Sequence, residues 1–210
     1  GISSATLSDI VGLTFDSANL ADYQGAIAAE ASIADVAALQ ALIDSVDASI
    51  LALVSVQDAA TNSDASTLTT ETLTAIRGLT FDSANIVPYQ GAIAAETSIT
   101  DVAALQALID SVDASLSAFA AVQAAATNSD ASTLNTDTLA AIRGLSFVET
   151  NLTDYQEAIA AEAGIADVVA LQTLIDSVDI SLVAFASVQL AATNSDASSV
   201  NAETLNAIRG

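Results

Sequence analysis

A unit of about 66 residues occurs three times in tandem, and this repetition constrains the fold more than any other feature. The copies 13–78, 79–144 and 145–210 align without insertions. The residues that mark the interval are Phe15, Phe81 and Phe147; Tyr23, Tyr89 and Tyr155; and Arg77, Arg143 and Arg209. Because repeats of one sequence fold as repeats of one structural unit, each copy is predicted to contain the same elements and to contact its neighbours.

Apolar residues at spacings of three and four predict three helices in each copy. A short helix is predicted over 70–77, with Gly78 in the position that stops it. A middle helix is predicted over 19–31 and a long helix over 33–60. The long helix is predicted to carry one apolar seam, formed by Val36, Leu39, Ile43, Val46, Ile50 and Leu53.

Proline sets the start of the middle helix. Pro88 has no N–H to donate to the carbonyl four residues earlier, so the regular helix starts no earlier than about Ala84. Asn85, with its equivalents Asn19 and Asn151, is predicted to be the N-cap.

The predicted fold is all-α, with tandem three-helix-bundle repeats forming an extended rod or solenoid-like array. The unchanged segment Thr-Asn-Ser-Asp-Ala-Ser, at 61–66 and its equivalents, is a predicted turn where copies join. The predicted domains are 1–66, 67–132 and 133–198. Within the first, 1–12 aligns with the tail of a preceding repeat. Residues 199–210 form an orphan short helix that belongs to a next repeat or docks on a neighbour.

Charge excludes several classes of partner. The net charge is −23, from 26 acidic residues against three arginines. Nucleic acid is therefore not expected as a partner, because phosphate binding needs clustered Lys and Arg.

The longest uncharged stretch, Ile180–Ser195, is interrupted by polar residues and is shorter than the roughly 20 apolar residues of a spanning helix, so no membrane insertion is predicted.

The residues available for chemistry are few, since the chain has neither histidine nor cysteine. Asp44 and Asp47, repeated in each copy, offer paired carboxylates for acid–base work, but three identical catalytic centres on an alanine-rich repeat are not expected. We therefore predict no enzyme activity and no cofactor. Calcium is left open, because these aspartates and Asp64 supply oxygen ligands, although neither an EF-hand loop nor a glycine-rich calcium repeat is present.

Contacts between copies are predicted at two sets of residues. Arg77, Arg143 and Arg209 close the predicted short helices, where a cation either complements the helix dipole or contacts a neighbouring copy. Leu205 and Ile208 lie on the orphan short helix, which is too short to be stable alone and should dock on something. The predicted partner is a second copy of the chain, joined head to tail or laterally.

The residues 68–78 and 13–24, followed by Ala-Ile-Ala-Ala-Glu and Ala-Ala-Leu-Gln-Ala-Leu-Ile-Asp-Ser-Val-Asp, resemble the GA-like three-helix repeats of large bacterial secreted or surface adhesins and biofilm-associated proteins. That resemblance implies export and a role as a stalk or spacer at the cell surface. The copies depart from such modules in the extra length near 49–60 and in having almost no basic residues. These departures weigh against albumin binding.

Two functions remain at the level of sequence. The first is an extracellular structural protein of a bacterial surface or matrix that assembles into a filament, sheath or fibre. The second is the stalk of a giant secreted adhesin that projects a binding domain.

Overall fold

The structure, a computed structural model, describes residues 2–208, and this range is helical and contains no strand. Its α-helices are α1 (Ser4–Ser8), α2 (Leu20–Ala29), α3 (Val36–Thr61), α4 (Thr70–Ala75), α5 (Ile86–Ala95), α6 (Val102–Asn128), α7 (Thr136–Ala141), α8 (Leu152–Ala161), α9 (Val168–Thr193) and α10 (Ala202–Asn206). The prediction of an all-α fold is confirmed. We call α1, α4, α7 and α10 the short helices, α2, α5 and α8 the middle helices, and α3, α6 and α9 the long helices.

The short helices end earlier than predicted. Thr69 caps α4 by accepting a hydrogen bond from the Thr72 N–H, and the helix ends at Ala75 rather than at residue 77. Ile76 is extended, with φ −76° and ψ 111°, and its side chain is buried. Gly78 then takes a φ of +80°, so the glycine belongs to the turn after the helix.

The middle helices have the predicted N-cap residues but not the predicted side-chain capping bond. A 3-10 turn, Ser17–Asn19, precedes α2, and the Asp16 side chain caps this turn by accepting from the Ala18 N–H. Asn19 holds the N-cap position of α2 but makes no side-chain capping bond, because its amide binds Asp47 instead. Pro88 is the third residue of α5, where its missing N–H costs no helical bond.

The long helices begin later than predicted. Asp35 caps α3 by accepting from the Ala38 N–H at 2.8 Å, and Asp167 caps α9 in the same way. The helix therefore starts at Val36, and Ile33 lies in the connection before it.

The predicted single seam is only partly right, because α3 has two buried faces. Val36 is exposed, although it stands at the start of the predicted seam. The buried positions are Leu39, Ile43 and Val46, followed by Ala52, Val56, Ala59 and Ala60. At 100° per residue, the second set lies roughly 130° around the helix from the first. One long helix can therefore pack against different elements along its two halves.

The chain divides into two compact units, 1–110 and 111–210. In the first unit, α3 contacts α2, α4 and α5. A core at its N-terminal end joins α1, α2 and the first half of α3, through Leu7, Tyr23, Ala26, Leu39, Ile43 and Val46. The side chain of Gln57, in the second half of α3, donates to the Thr100 carbonyl at 3.2 Å, so this half also reaches the loop after α5.

In the second unit, a single core joins the helix segment 111–128 to α7, α8 and α9. The 111–128 segment contributes Val122 and Ala126, both fully buried, and α8 contributes Tyr155 and Ile159. The Thr-Asn-Ser-Asp-Ala-Ser turn is part of this core, since Ala131 is buried in it. The turn between copies is thus packed as well as polar.

The long helices α3, α6 and α9 are long and apolar enough to cross a membrane, judged by length and composition alone. Each carries two aspartates in its first half, Asp44 and Asp47 in α3. An aspartate at the centre of a spanning helix costs about 2.5–3.5 kcal/mol. That these helices pack in water without inserting into a membrane stays a prediction.

Candidate functional site

An arginine and two serines form the same polar contact in both units, and we call this contact the arginine clamp. In the first unit, the Arg77 N–H donates to Ser49 Oγ at 2.9 Å and the guanidinium donates to Ser45 Oγ at 3.1 Å. In the second unit, Arg143 donates in the same way to Ser115 at 2.9 Å and to Ser111 at 3.0 Å. Each clamp joins the turn after a short helix to the long helix that precedes it. Arg209 lies outside the described residues.

The clamp favours one of the two roles that the sequence leaves open for these arginines. No basic residue stands in the last turn of α4 or α7, so Arg77 and Arg143 do not complement the dipole of a short helix from within it. Both instead contact residues 28 and 32 positions earlier. The serines were missed in the sequence, although a pair of serines four residues apart recurs on every predicted long helix.

A buried tyrosine connects three segments of each end copy. In the first copy, the Asp16 N–H donates to Tyr23 Oη at 3.1 Å, and the Tyr23 hydroxyl donates to Asp47 Oδ1 at 2.5 Å. Asn19 Nδ2 also donates to Asp47, at 2.8 Å. In the third copy, Tyr155 and Asn151 donate to Asp179 with the same geometry. Burial, and then the hydrogen bond to the aspartate, raises the pKa of Tyr23 and of Tyr155.

The paired aspartates therefore have different surroundings. Asp47 is half-buried and holds the tyrosine and asparagine, whereas Asp44 is exposed and accepts from Gln40 Nε2 at 2.7 Å. Gln40 in turn exchanges two hydrogen bonds with the backbone of Thr14. Both carboxylates are thus engaged in holding the loop and the middle helix against α3.

The aspartates of the turns between copies also bond locally. Asp64 Oδ1 accepts from the Ser66 N–H at 3.0 Å, and Asp130 and Asp196 repeat this bond with Ser132 and Ser198. These serine hydrogen bonds lower the pKa of each aspartate. Within 2–208, no three acidic side chains converge in a way that could hold a metal ion.

Four apolar residues of the third copy are less buried than their equivalents in the earlier copies. Leu205 of α10 is 55% exposed, whereas its equivalents Leu73 and Leu139 are fully buried. We call the set Val188, Ala192, Ala197 and Leu205 the C-terminal apolar surface. The equivalents of the other three members are also buried in the first two copies: Val56 and Val122, Ala60 and Ala126, and Ala65 and Ala131.

Ile208, the other predicted contact residue of the orphan helix, is half-buried. It lines an open groove of about 440 Å³ between α8 and α9, together with Val178, Leu182 and Phe185. Its equivalents Ile76 and Ile142 are buried. Leu205 and Ile208 thus lie on the same short helical end, and both are more exposed than the residues they repeat.

The chain matches no protein-family model, no curated protein and no solved structure. The resemblance to adhesin repeats therefore remains a hypothesis that rests on sequence pattern.

Proposed function

We propose that the chain is an extracellular structural protein of a bacterial surface or matrix, in which tandem helical repeats of about 66 residues assemble into a filament, sheath or fibre. The repeats are proposed to form an extended array in which each copy contacts the next. The arginine clamps at Arg77 and Arg143 support this proposal, because the same contact joins the segments 1–66 and 67–132 and the segments 67–132 and 133–198.

The observation that carries the proposal is the packing of one copy on the next: Leu7 is buried with Tyr23 and Ile43, and Leu139 is buried with Tyr155 and Ile175. In both cases the residues that bury the leucine belong to the copy that follows it in sequence. A surface that one copy presents to the next suits further copies better than a small ligand or an unrelated protein. Self-association of the repeat is therefore the function that this geometry favours.

A structural role is also supported by what the polar groups do. Asp47 and Asp179 are engaged with tyrosine and asparagine side chains, and the serines of the clamps bind arginine. These side chains are thus used to hold helices together. We propose that the protein is not an enzyme and that its main partner is a second copy of itself.

The charge and the resemblance to adhesin repeats support the proposed location. A net charge of −23 gives strong repulsion between molecules at low ionic strength, and screening by salt shortens its range to about 8 Å at 0.15 M. Extracellular, salt-containing surroundings would therefore favour close packing of copies.

The alternative function is a stalk that projects a binding domain, and it uses the same contacts between copies without association between molecules.

Measuring the assembly state of the chain distinguishes the filament from the stalk. The chain is purified at low salt and then brought to 0.01, 0.15 and about 0.5 M sodium chloride, with size followed by light scattering and particles viewed by negative-stain electron microscopy. A structural polymer is expected to give fibres with one constant axial spacing as the salt concentration rises. Elongated monomers at every salt concentration would contradict the filament and leave the stalk as the better proposal.

A further inference from the structure

The long helix α9 carries an exposed apolar line on one side. Its residues Ile180, Val183 and Leu190 are 59%, 69% and 61% exposed. Ser187, which is also exposed, lies on the same line. At 100° per residue, the four positions fall within an arc of roughly 80° around the helix. We call these four residues the α9 stripe.

The stripe occupies positions that the next copy along the chain does not cover. The equivalents of its residues are Ala48, Leu51, Ser55 and Asp58 in α3, and Ala114, Ser117, Ala121 and Ala124 in α6. All of these are exposed, although a further copy follows α3 and α6 in the sequence. The following copy packs instead on other residues of the long helix, such as Val122 and Ala126. The exposure of the α9 stripe is therefore a property of its position within a copy.

The residues that distinguish α9 from the other long helices lie on this same side. The helix differs from both α3 and α6 at positions 169, 173, 180, 183 and 190, which fall within an arc of roughly 100°. Four of these residues are aliphatic where α6 has three alanines and a serine. A solvated surface gains nothing from larger apolar side chains, so their concentration on one side indicates contact with another molecule.

The spacing of the stripe suits a second copy of the same helix. Steps of three, four and three residues are those of the a and d positions of a coiled coil. The steps are also symmetric about position 185, so in an antiparallel pair Ile180 lies opposite Leu190 of the second copy, and Val183 lies opposite Ser187. A two-fold contact of this kind uses the same patch on both molecules. The Ser187 hydroxyl donates to the Val183 carbonyl at 3.0 Å within its own helix, so it stays hydrogen-bonded when it is covered.

The distribution of charge also favours this occupant. The stripe lies within 180–195, the longest uncharged stretch of a chain whose net charge is −23, so two copies can approach here with little local repulsion. Asp176 is the acidic residue that precedes the stripe on the same side of α9. In the antiparallel pair the two Asp176 residues are roughly 27 Å apart along the axis, beyond the screening length of about 8 Å at 0.15 M salt. A parallel pair would place them side by side.

We propose that the α9 stripe is a lateral contact between two copies of the chain, which pair antiparallel about a two-fold axis. This inference rests on the proposed self-association and names the residues that join neighbouring molecules sideways. Four side chains bury less than the roughly 800 Å² per partner of a standard stable interface, so a single pair is weak and forms at high chain concentration.

Two valines of α9 give a matched test in the full chain. Val183 and Val169 are 69% and 75% exposed, but only Val183 belongs to the stripe. Val183→Ala is expected to weaken pairing at least about fivefold, because each pair contains the substitution twice. Val169→Ala is expected to leave pairing unchanged. Sedimentation equilibrium over a wide range of chain concentration, in about 0.15 M sodium chloride, measures both.

A triple variant removes the stripe without introducing a foreign residue. Ile180→Ala/Val183→Ser/Leu190→Ala carries the residues that α6 has at the same positions, so it is expected to fold and to stay monomeric. Circular dichroism checks the folding of this variant and of both valine variants.

Introduced cysteines report the orientation of the pair, because the chain has none of its own. Chains with Ile180→Cys and chains with Leu190→Cys are mixed and treated with a short bismaleimide cross-linker. Antiparallel pairing is expected to link the two kinds of chain to each other more than either kind to itself. The reverse preference would overturn the antiparallel pair.

The outcomes separate this contact from the filament. Equal pairing of Val183→Ala and Val169→Ala would overturn the contact, and so would a folded triple variant that pairs like the unmodified chain; fibres formed by that variant would leave the filament standing. Pairing of the unmodified chain without fibres at any salt concentration would support the contact and contradict the filament. An unmodified chain that stays monomeric at every concentration, or one whose stripe binds zwitterionic vesicles in place of a second copy, would overturn the pairing.

Discussion

At the scale of single residues, one phenol hydroxyl joins three separate stretches of chain. Tyr23 is fully buried, accepts from the Asp16 backbone, and donates to Asp47, which also holds Asn19. The ring itself meets Phe15 edge to face, with centroids 6.4 Å apart. A buried polar group of this kind is stabilising only while all its partners are present, because each partner would otherwise be buried without a hydrogen bond.

Replacing Tyr23 by phenylalanine is expected to lower the free energy of unfolding by about 1–3 kcal/mol. The ring packing survives, but the Asp16 N–H and the Asp47 carboxylate both lose a partner. Urea denaturation followed by circular dichroism measures the change. The control is Asp22→Asn, an exposed change on the same helix that should stay within about 0.5 kcal/mol of the unmodified chain. Equal stability of Tyr23→Phe and the control would show that the network contributes nothing.

The same tyrosines predict a loss of stability at alkaline pH. Burial and the bond to aspartate raise the pKa of Tyr23 and Tyr155 above the ordinary value of 10.0. The neutral phenol is thus favoured in the folded state, and its contribution is fully present below pH 10. As the pH rises past 10, the unfolded chain loses its phenol protons first, so the free energy of unfolding should fall. Urea denaturation at pH 9 and pH 11 measures this, and the double variant Tyr23→Phe/Tyr155→Phe should show a smaller fall. An equal fall in that variant would assign the effect to other groups.

At the scale of the elements, two glycines of the same repeat have opposite roles. Gly25 lies inside α2, has open space where a Cβ would be, and is replaced by Glu157 in the third copy. Gly25→Ala is expected to stabilise the chain by about 0.5–1 kcal/mol, because it removes backbone freedom from the unfolded state. Gly78→Ala is the matched comparison and should destabilise by about 1–2 kcal/mol, since Gly78 has a φ of +80°. Thermal unfolding of both variants measures the two changes in stability. A gain in stability for both would contradict the role of Gly78.

The arginine clamp can be tested with two serines of α6 that have different surroundings. Ser115 is buried and accepts the Arg143 N–H, whereas Ser117 is exposed. Alanine at either position gains the same helix propensity, so the difference between Ser115→Ala and Ser117→Ala isolates the clamp. Ser115→Ala is expected to be less stable than Ser117→Ala by about 0.5–1.5 kcal/mol in urea denaturation. Two variants of equal stability would show that the clamp does not hold the short segment to the long helix.

For the helices, the sequence predicts the elements well but predicts only part of how they pack. The spacing of apolar residues and the position of turn residues predict the short, middle and long helices. The same spacing predicts that Leu39, Ile43 and Val46 are buried. The second face of α3 was missed, since it is marked mainly by alanines, and alanine is common on both exposed and buried positions here. The serines of the clamp were missed for a related reason: a serine on a helix shows its role only when its distant partner is placed.

At the scale of the whole molecule, the long helices combine a high apolar content with part of the acidic charge of the chain. The most apolar windows of α3 and α9 have a mean hydropathy of 1.6 and 1.7, although most of each window is unburied. The first halves contribute aspartates to a net charge of −23. Solubility and association in such a chain depend on ionic strength more than in a protein of balanced charge, because like charges must approach at any contact between copies.

The long helices are expected to stay out of lipid. A spanning arrangement would break the hydrogen bonds of Tyr23 and Asn19 to Asp47, and it would bring an acidic chain to a surface that repels it when the lipids are anionic. Flotation of the chain with zwitterionic vesicles, and separately with vesicles containing phosphatidylserine, is expected to leave it in the aqueous fraction in both cases. Tyr23→Phe, which weakens the network without changing the charge, serves as the comparison: flotation of the variant alone would show that this packing is what keeps the helices in water. Flotation of the unmodified chain would instead assign the apolar long helices to a membrane.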